Sequence, residues 1–166
     1  MNLTILSVCL LFAAIVGSGC AQNGGCPDVS VVYHDSCYFF GYKQPMTFLD
    51  ADNFCRTQHH GRLVEIGTPE ENAFVKNYLS RLSHTENFWL GMTDQANEHD
   101  WRWHSSDDVV EFFDWAPGDP DNTNTNEDCV VFWYERGFQW ADVPCPSFKA
   151  EPVCEKSISD ITEIIG

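Results

Sequence analysis

The sequence predicts an α+β domain in which two helices pack on short antiparallel sheets, tied by three disulfides and carrying one long loop. Apolar residues recur at helical spacing in two segments only, near residues 47–59 and 68–82. Beyond them the pattern changes to short aromatic runs bounded by Gly, Pro, Asn and Asp, as strands are. Six of the eight cysteines lie outside an apolar leader, an even number that implies three disulfides and an oxidising compartment.

The leader comes first. Residues 1–21 are almost wholly apolar, the run Ile5 to Val16 is too short to span a bilayer, and Gly19-Cys20-Ala21 offers a small-x-small cleavage site. They read as a secretory signal removed before Gln22, although the usual Lys or Arg near the start is missing. Removal discards Cys9 and Cys20 and leaves about 145 of 166 residues, the size of one domain with one core. The mature chain is therefore expected outside the cell, and it contains no Asn-x-Ser/Thr sequon.

Cys26 to Cys37 encloses Val29-Ser30-Val31-Val32-Tyr33, and Tyr38-Phe39-Phe40 follows; the two runs around His34-Asp35 read as a hairpin. Thr47 is the expected N-cap of a helix through about His59, with Ala51, Phe54 and Cys55 on its inner face and Gly61 ending it. A second helix opens with Thr68 as N-cap, Pro69 at the first helical position and Glu71 completing a capping box. Its buried face is expected to be Phe74, Val75, Tyr78, Leu79 and Leu82. Strands are expected at Phe88–Met92, Trp101–Trp103, Val130–Tyr134 and Phe138–Trp140, with a long ordered loop over residues 104–128. After Cys154 turn and core signals cease, so the domain is expected to span 22–155 and the tail 156–166 to be loosely held.

The formal charge of −16 argues against nucleic-acid partners and against binding or insertion at an anionic membrane. Eleven of the 25 acids fall within residues 94–128, opposed there only by Arg102. Such crowding is unfavourable unless solvent or a cation offsets it. The stretch Gly118 to Cys129, followed by Trp140-Ala141-Asp142-Val143-Pro144-Cys145, has the carboxylates and amides of a loop that holds Ca²⁺ through oxygen.

Cys55 in the first helix, Trp89-Leu90-Gly91-Met92, the Asp119-Pro120-Asp121 segment before Glu127-Asp128-Cys129, Trp140-x-Asp142, Cys145 and Cys154 together resemble a C-type lectin-like domain. The resemblance covers about Cys26 to Glu155 and includes the amino-terminal hairpin of the long form. It implies disulfides Cys26–Cys37, Cys55–Cys154 and Cys129–Cys145. Closing loops of about 100 and 17 residues, the last two would restrict the unfolded chain by about 4.7 and 3 kcal/mol.

In lectins of this family, Ca²⁺ is held by two side chains flanking a cis-proline, a Glu, and the Asn and Asp after the tryptophan of the last strand. The matching positions here are Asp119, Asp121, Glu127, Ala141 and Asp142. The resemblance thus implies a principal Ca²⁺ site of Asp119, Asp121, Glu127 and Asp142, at which two vicinal sugar hydroxyls complete the metal shell while the same residues accept the hydroxyl hydrogens. Two departures stand out: Ala141 has no side-chain oxygen, and Asp119 is one methylene shorter than the usual Glu or Gln. Four negative ligands still favour Ca²⁺, with affinity in the roughly 10⁻⁴–10⁻³ M range of extracellular modules. An all-acceptor set implies weak, broad recognition of vicinal diols, galactose or mannose type unresolved, and Thr123 and Asn124 stand where some members carry a stacking aromatic insertion. Asp94, Glu98, Asn122, Glu127 and Asp128 fall where some members bind an auxiliary Ca²⁺.

Other chemistries have little support. The six histidines show no His-Glu-x-x-His spacing, and His104-Ser105-Ser106-Asp107 reads as a surface turn, so no enzyme activity is expected. Of the six tryptophans all but Trp115 are assigned to packing. Three functions compete on the resemblance: a secreted Ca²⁺-dependent lectin for microbial or cell-surface glycans in innate defence, a related domain that has lost sugar binding and recognises protein, and an acidic mineral- or ice-associating matrix protein.

Overall fold

The computed structural model describes residues 26, 29–82, 85–123 and 126–159. The signal at 1–21, Asn124 and the tail from 160 lie outside them. In chain order the elements are β1 (Val31–Tyr33), β2 (Ser36–Phe40), α1 (Phe48–Gln58), β3 (Arg62–Leu63), α2 (Pro69–Arg81), β4 (Phe88–Thr93), β5 (Arg102–Trp103), β6 (Cys129–Trp133), a 3₁₀ turn (Tyr134–Arg136), β7 (Gln139–Val143) and β8 (Glu151–Ser157). The sheet runs β1-β2-β8-β4-β6-β7, with β3 on β8 and β5 on β4. All pairings are antiparallel except β4 with β8, which is parallel, a correction to the purely antiparallel expectation.

Because β4 and β6 are covered on both faces, they read as continuous apolar runs rather than as alternation. Phe88, Leu90, Val130 and Phe132 point to one core with Val75, Leu79 and Trp140. Trp89, Val131 and Cys129 point the other way, to Phe48, Ala51 and Cys55 of α1. The three disulfides are Cys26–Cys37, Cys55–Cys154 and Cys129–Cys145, with Cα separations of 5.6, 5.3 and 5.2 Å. The second bolts α1 to β8, and the third closes β6 against the turn beyond β7.

Helix ends depart from expectation in their chemistry. Thr47 is the N-cap residue of α1, but its hydroxyl donates to Asp50 at 2.7 Å and caps no backbone amide. At the other end the left-handed residue is His60 (φ 51), and Gly61 serves a different need. A Cβ at Gly61 would lie 2.2 Å from the Glu155 carbonyl oxygen, so close approach of the chain to β8 demands glycine there. In α2 Thr68 accepts from the Glu71 amide at 3.2 Å, the first half of the box. Glu71 reaches Gly67 N instead of closing the second half, because its other oxygen is held by the Tyr38 hydroxyl at 2.7 Å. Val75 and Leu79 are fully buried, whereas Phe74 and Tyr78 are half-buried and stack on Tyr33 and Phe40.

The carboxyl-terminal expectation was too short. Glu155 to Ser157 continue β8, pairing with Tyr38 to Ser36, and the buried Glu155 carboxylate accepts from Ser36 and lies 3.5 Å from Arg62. Strand β8 lacked a sequence signal because Glu151, Glu155 and Lys156 interrupt its apolar pattern; the acids are tolerated because fixed donors meet them, as Gln44 N meets Glu151.

Candidate functional site

Around residues 114–116 the long loop is bonded through its backbone to β7. Trp140 N donates to Asp114 O at 2.8 Å and Ala116 N donates to Trp140 O at 2.7 Å. Asp114 is in turn gripped by Asn72 (2.7 Å) and Lys76 (2.5 Å) of α2, so the acid at this end of the loop is a structural one. Beyond it Gly118 takes φ 104, a conformation open to glycine, and the Asp119–Pro120 peptide is cis. Asn122 follows at φ 42, left-handed backbone that Asn tolerates better than most residues.

These turns set Asp119 and Asp121 against Asp142, which β7 presents from beneath. One carboxylate oxygen from each of the three lies within 4.8 Å of the others. Both oxygens of Asp142 accept loop amides, Asp121 N at 3.1 Å and Asn122 N at 2.8 Å. Asp121 accepts from Thr123 N (3.0 Å) and the Thr123 hydroxyl (2.6 Å), and Thr123 N also donates to Glu127 at 2.8 Å. Because the Thr123 amide and hydroxyl both engage Asp121 Oδ1, Asp121 would present its other carboxylate oxygen to a metal. Glu127 lines the same cavity but stands outside the tight group of three, and Ala141 forms its floor without offering an oxygen.

The electrostatics are those of like charges held together. Burial, then the charges of Asp142 and Asp121, push the Asp119 carboxyl up to about 6. Asp121 is held below its ordinary range by the Thr123 hydroxyl and amide. A hard cation would relieve the repulsion that protonation of Asp119 otherwise relieves, and an oxygen-only donor set suits Ca²⁺. The residues present therefore fit the ion.

The cavity, about 430 Å³, runs on from the carboxylates across Val143 and Pro144 to Trp133, Glu135, Arg136 and Phe148. None of these last four was singled out from the sequence. Trp133 packs against the second core as expected, and its half-buried ring also lines the cavity, while Trp115 packs on Trp101 and Trp140 at the core's edge. An aromatic at a strand end beside a Gly-containing turn was the available signal.

Asp94 and Glu98 do gather, with His99 rather than Asp128 as the third member of the tight group. Asp94 is buried, one of its oxygens accepts His99 N at 2.8 Å, and the other has no hydrogen-bond partner among the described residues. Burial raises its carboxyl, with Glu98 and Asp128 adding to the shift. Asn122 turns instead to Glu127 N, at 3.2 Å. The serine–histidine pair does not form: Ser105 donates to Glu65, and His104 faces Asp52 at 3.7 Å.

Comparison with known proteins agrees with this geometry. A profile of the lectin C-type domain matches residues 44–156. The chain is 34% identical over 157 residues to a perlucin-like protein of Mytilus galloprovincialis, covering 92% of this chain and 99% of that one. It superposes on the mouse scavenger receptor C-type lectin carbohydrate-recognition domain with TM-score 0.71 and 31% identity, over 80% of this chain and 98% of that one. Human lithostathine gives TM-score 0.72 and 33% identity, over 80% and 99% respectively. The chain belongs to the C-type lectin family, and its fold is the C-type lectin fold. That family generally binds calcium, carbohydrate binding is typical of it, and its members are typically binding proteins rather than enzymes. Among the described residues no helix is long and apolar enough to cross a membrane.

Proposed function

We propose that this chain is a secreted, Ca²⁺-dependent carbohydrate-binding protein that recognises glycans on microbial or cell surfaces in innate defence, with weak or broad sugar specificity. The observation that carries the reading is the convergence of Asp119, Asp121 and Asp142 within 4.8 Å around the Asp119–Pro120 turn of a C-type lectin domain. Asp119, Asp121, Glu127 and Asp142 would hold the ion, and Asp94, Glu98, Asn122 and Asp128 an auxiliary one. The bound ion would supply a Lewis-acidic anchor for two vicinal hydroxyls, with the carboxylates accepting the hydroxyl hydrogens. No bond is broken in such recognition. The preferred sugar class, galactose or mannose type, follows from neither the acceptor-only ligands nor Thr123.

Residues 1–21 would direct export, and 22–155 would form the recognition domain. Calorimetry with millimolar Ca²⁺ and a glycan array read with Ca²⁺ and again with EDTA test the proposal. Heat on Ca²⁺ addition and chelator-reversible glycan binding are expected, and a calcium-silent domain would overturn it.

Ala141 favours a second reading, a domain that binds protein without sugar, because it removes one ligand and the hydrogen-bond donor beside it. Binding to a protein partner that ignores chelator would identify that case.

A further inference from the structure

The cavity beside the carboxylates, about 430 Å³, is lined on one side by the aromatic rings of Trp133 and Phe148. Trp133 ends β6, held by its pairing with Gln139 of β7. Phe148 lies against it with ring centroids 5.8 Å apart, and is itself pinned edge-on to the buried Trp89 at 5.9 Å and by its amide to Pro144 O at 3.0 Å. The wall is thus built before any ligand arrives, so ordering it on binding carries little entropic penalty. Arg136 and Glu135, both exposed on the 3₁₀ turn, form a polar rim, and Arg136 reaches toward Pro117 O at 3.5 Å. Ala141 and Val143 leave the floor between carboxylates and wall without a polar side chain.

We propose that this wall is a second saccharide subsite, so that the ligand is a neutral oligosaccharide of at least two residues rather than a monosaccharide. The inference rests on the sugar-binding reading above. One ring sits at the carboxylate end, and the next lays its C–H face on Trp133 and Phe148 while its hydroxyls donate to Glu135 and accept from Arg136. A lipid or aryl tail would use the wall and leave that polar rim unmatched. An anionic sugar would meet one basic residue among five acids, Asp119, Asp121, Glu127, Glu135 and Asp142. The missing donor at 141 weakens the first ring's contacts, and the second ring supplies what the first lacks.

The test uses the mature chain saturated with Ca²⁺. Methyl galactoside and methyl mannoside are titrated against their own di- and trisaccharides by calorimetry. The longer ligand of the preferred series is expected to bind roughly tenfold tighter than its monosaccharide. Trp133→Leu, which keeps apolar volume, should bring that ratio near one; Trp133→Tyr should keep most of it, and Phe148→Leu should reduce it. A melting shift on adding Ca²⁺ verifies that each variant is folded. Equal affinity for short and long ligands in the wild-type chain, or a ratio that survives Trp133→Leu in a folded domain, overturns the subsite alone. Calcium binding with no affinity for any saccharide overturns the parent reading as well.

Discussion

Glu155 in the lower half of the domain and Asp119 in the upper loop are both carboxylates withdrawn from water, but their neighbours differ. Glu155 faces the Ser36 hydroxyl, the Glu65 amide and the Arg62 guanidinium. Asp119 faces Asp142 and Asp121, whose charges outweigh the opposing one of Arg136. The first is satisfied by the fold, and so stabilises a strand. The second is left with repulsion, and so awaits a cation. Acidic residues therefore divide by what surrounds them rather than by their density in the sequence, which is similar near Asp114 and near Asp119.

The largest effect that would sharpen this contrast lies in the lower half. Replacing Cys55 and Cys154 by serine should destabilise the domain by about 4 kcal/mol, within the usual 2–5 kcal/mol for a native disulfide of a secreted domain, read by denaturant unfolding under non-reducing conditions. A loss under 1 kcal/mol would mean that the sheet holds β8 without the bolt.

In the upper half, Asp142→Ala should lower Ca²⁺ affinity at least tenfold and erase the calcium-induced rise in melting temperature. For the wild-type chain that rise corresponds to about 2.7 kcal/mol when Ca²⁺ is at 100 times its Kd. Glu127→Ala is the more informative companion. If Glu127 bridges a principal and an auxiliary ion, calorimetry will lose both; if it only holds Thr123 N, one ion will remain.

The pH dependence of the calcium-free domain separates the two carboxylate environments. The folded Asp119 carboxyl is raised from 3.8 to about 6, so the folded state takes up the proton more readily than the unfolded chain. Its contribution to stability is full below about pH 3.8 and is lost as pH rises through about 6. Since Asp119 is only half-buried, solvent screening holds the effect to about 1 kcal/mol or less. Melting in EDTA at pH 4.5 and 7.5 should show it as a smaller pH slope in Asp119→Asn than in the wild-type chain, and identical slopes would contradict it. With Ca²⁺ bound, proton and metal compete, so acid should release the ligand.

The smallest change tests Ala141. Ala141→Asn restores a ligand oxygen and a donor, and should raise monosaccharide affinity by about three- to tenfold, one hydrogen bond's worth. A glycan titration that does not move would mean that position 141 points away from the ion.

Much of this was legible in the chain. The cysteines, the α2 capping residues and the apolar runs of β4 and β6 are local signals, each set by one residue's own preferences or by a short spacing. Thr68, Pro69 and Glu71 announced α2 because an N-cap needs only neighbours within one turn. Strand β8 has no counterpart in the sequence reading because Glu151, Glu155 and Lys156 break any apolar pattern, and only residues distant in sequence, Ser36, Arg62 and Tyr38, make its end acceptable in a sheet. For the site, residue types suggested the ligands. Which acids come together was a separate matter: Asp114 is claimed by Lys76, Asn122 by Glu127, and His99 joins Asp94 and Glu98.

The sequence by itself determined the family, the two helices, the disulfide cysteines and a concentration of acids that demands compensation, since these depend on composition and near neighbours. Only the tertiary structure decided which carboxylates find a positive partner, which face one another, and that Trp133 and Phe148 flank them. Those relations are set by long-range packing of β7, α2 and the loop, and electrostatic and cavity energies depend on distances that chain order does not encode.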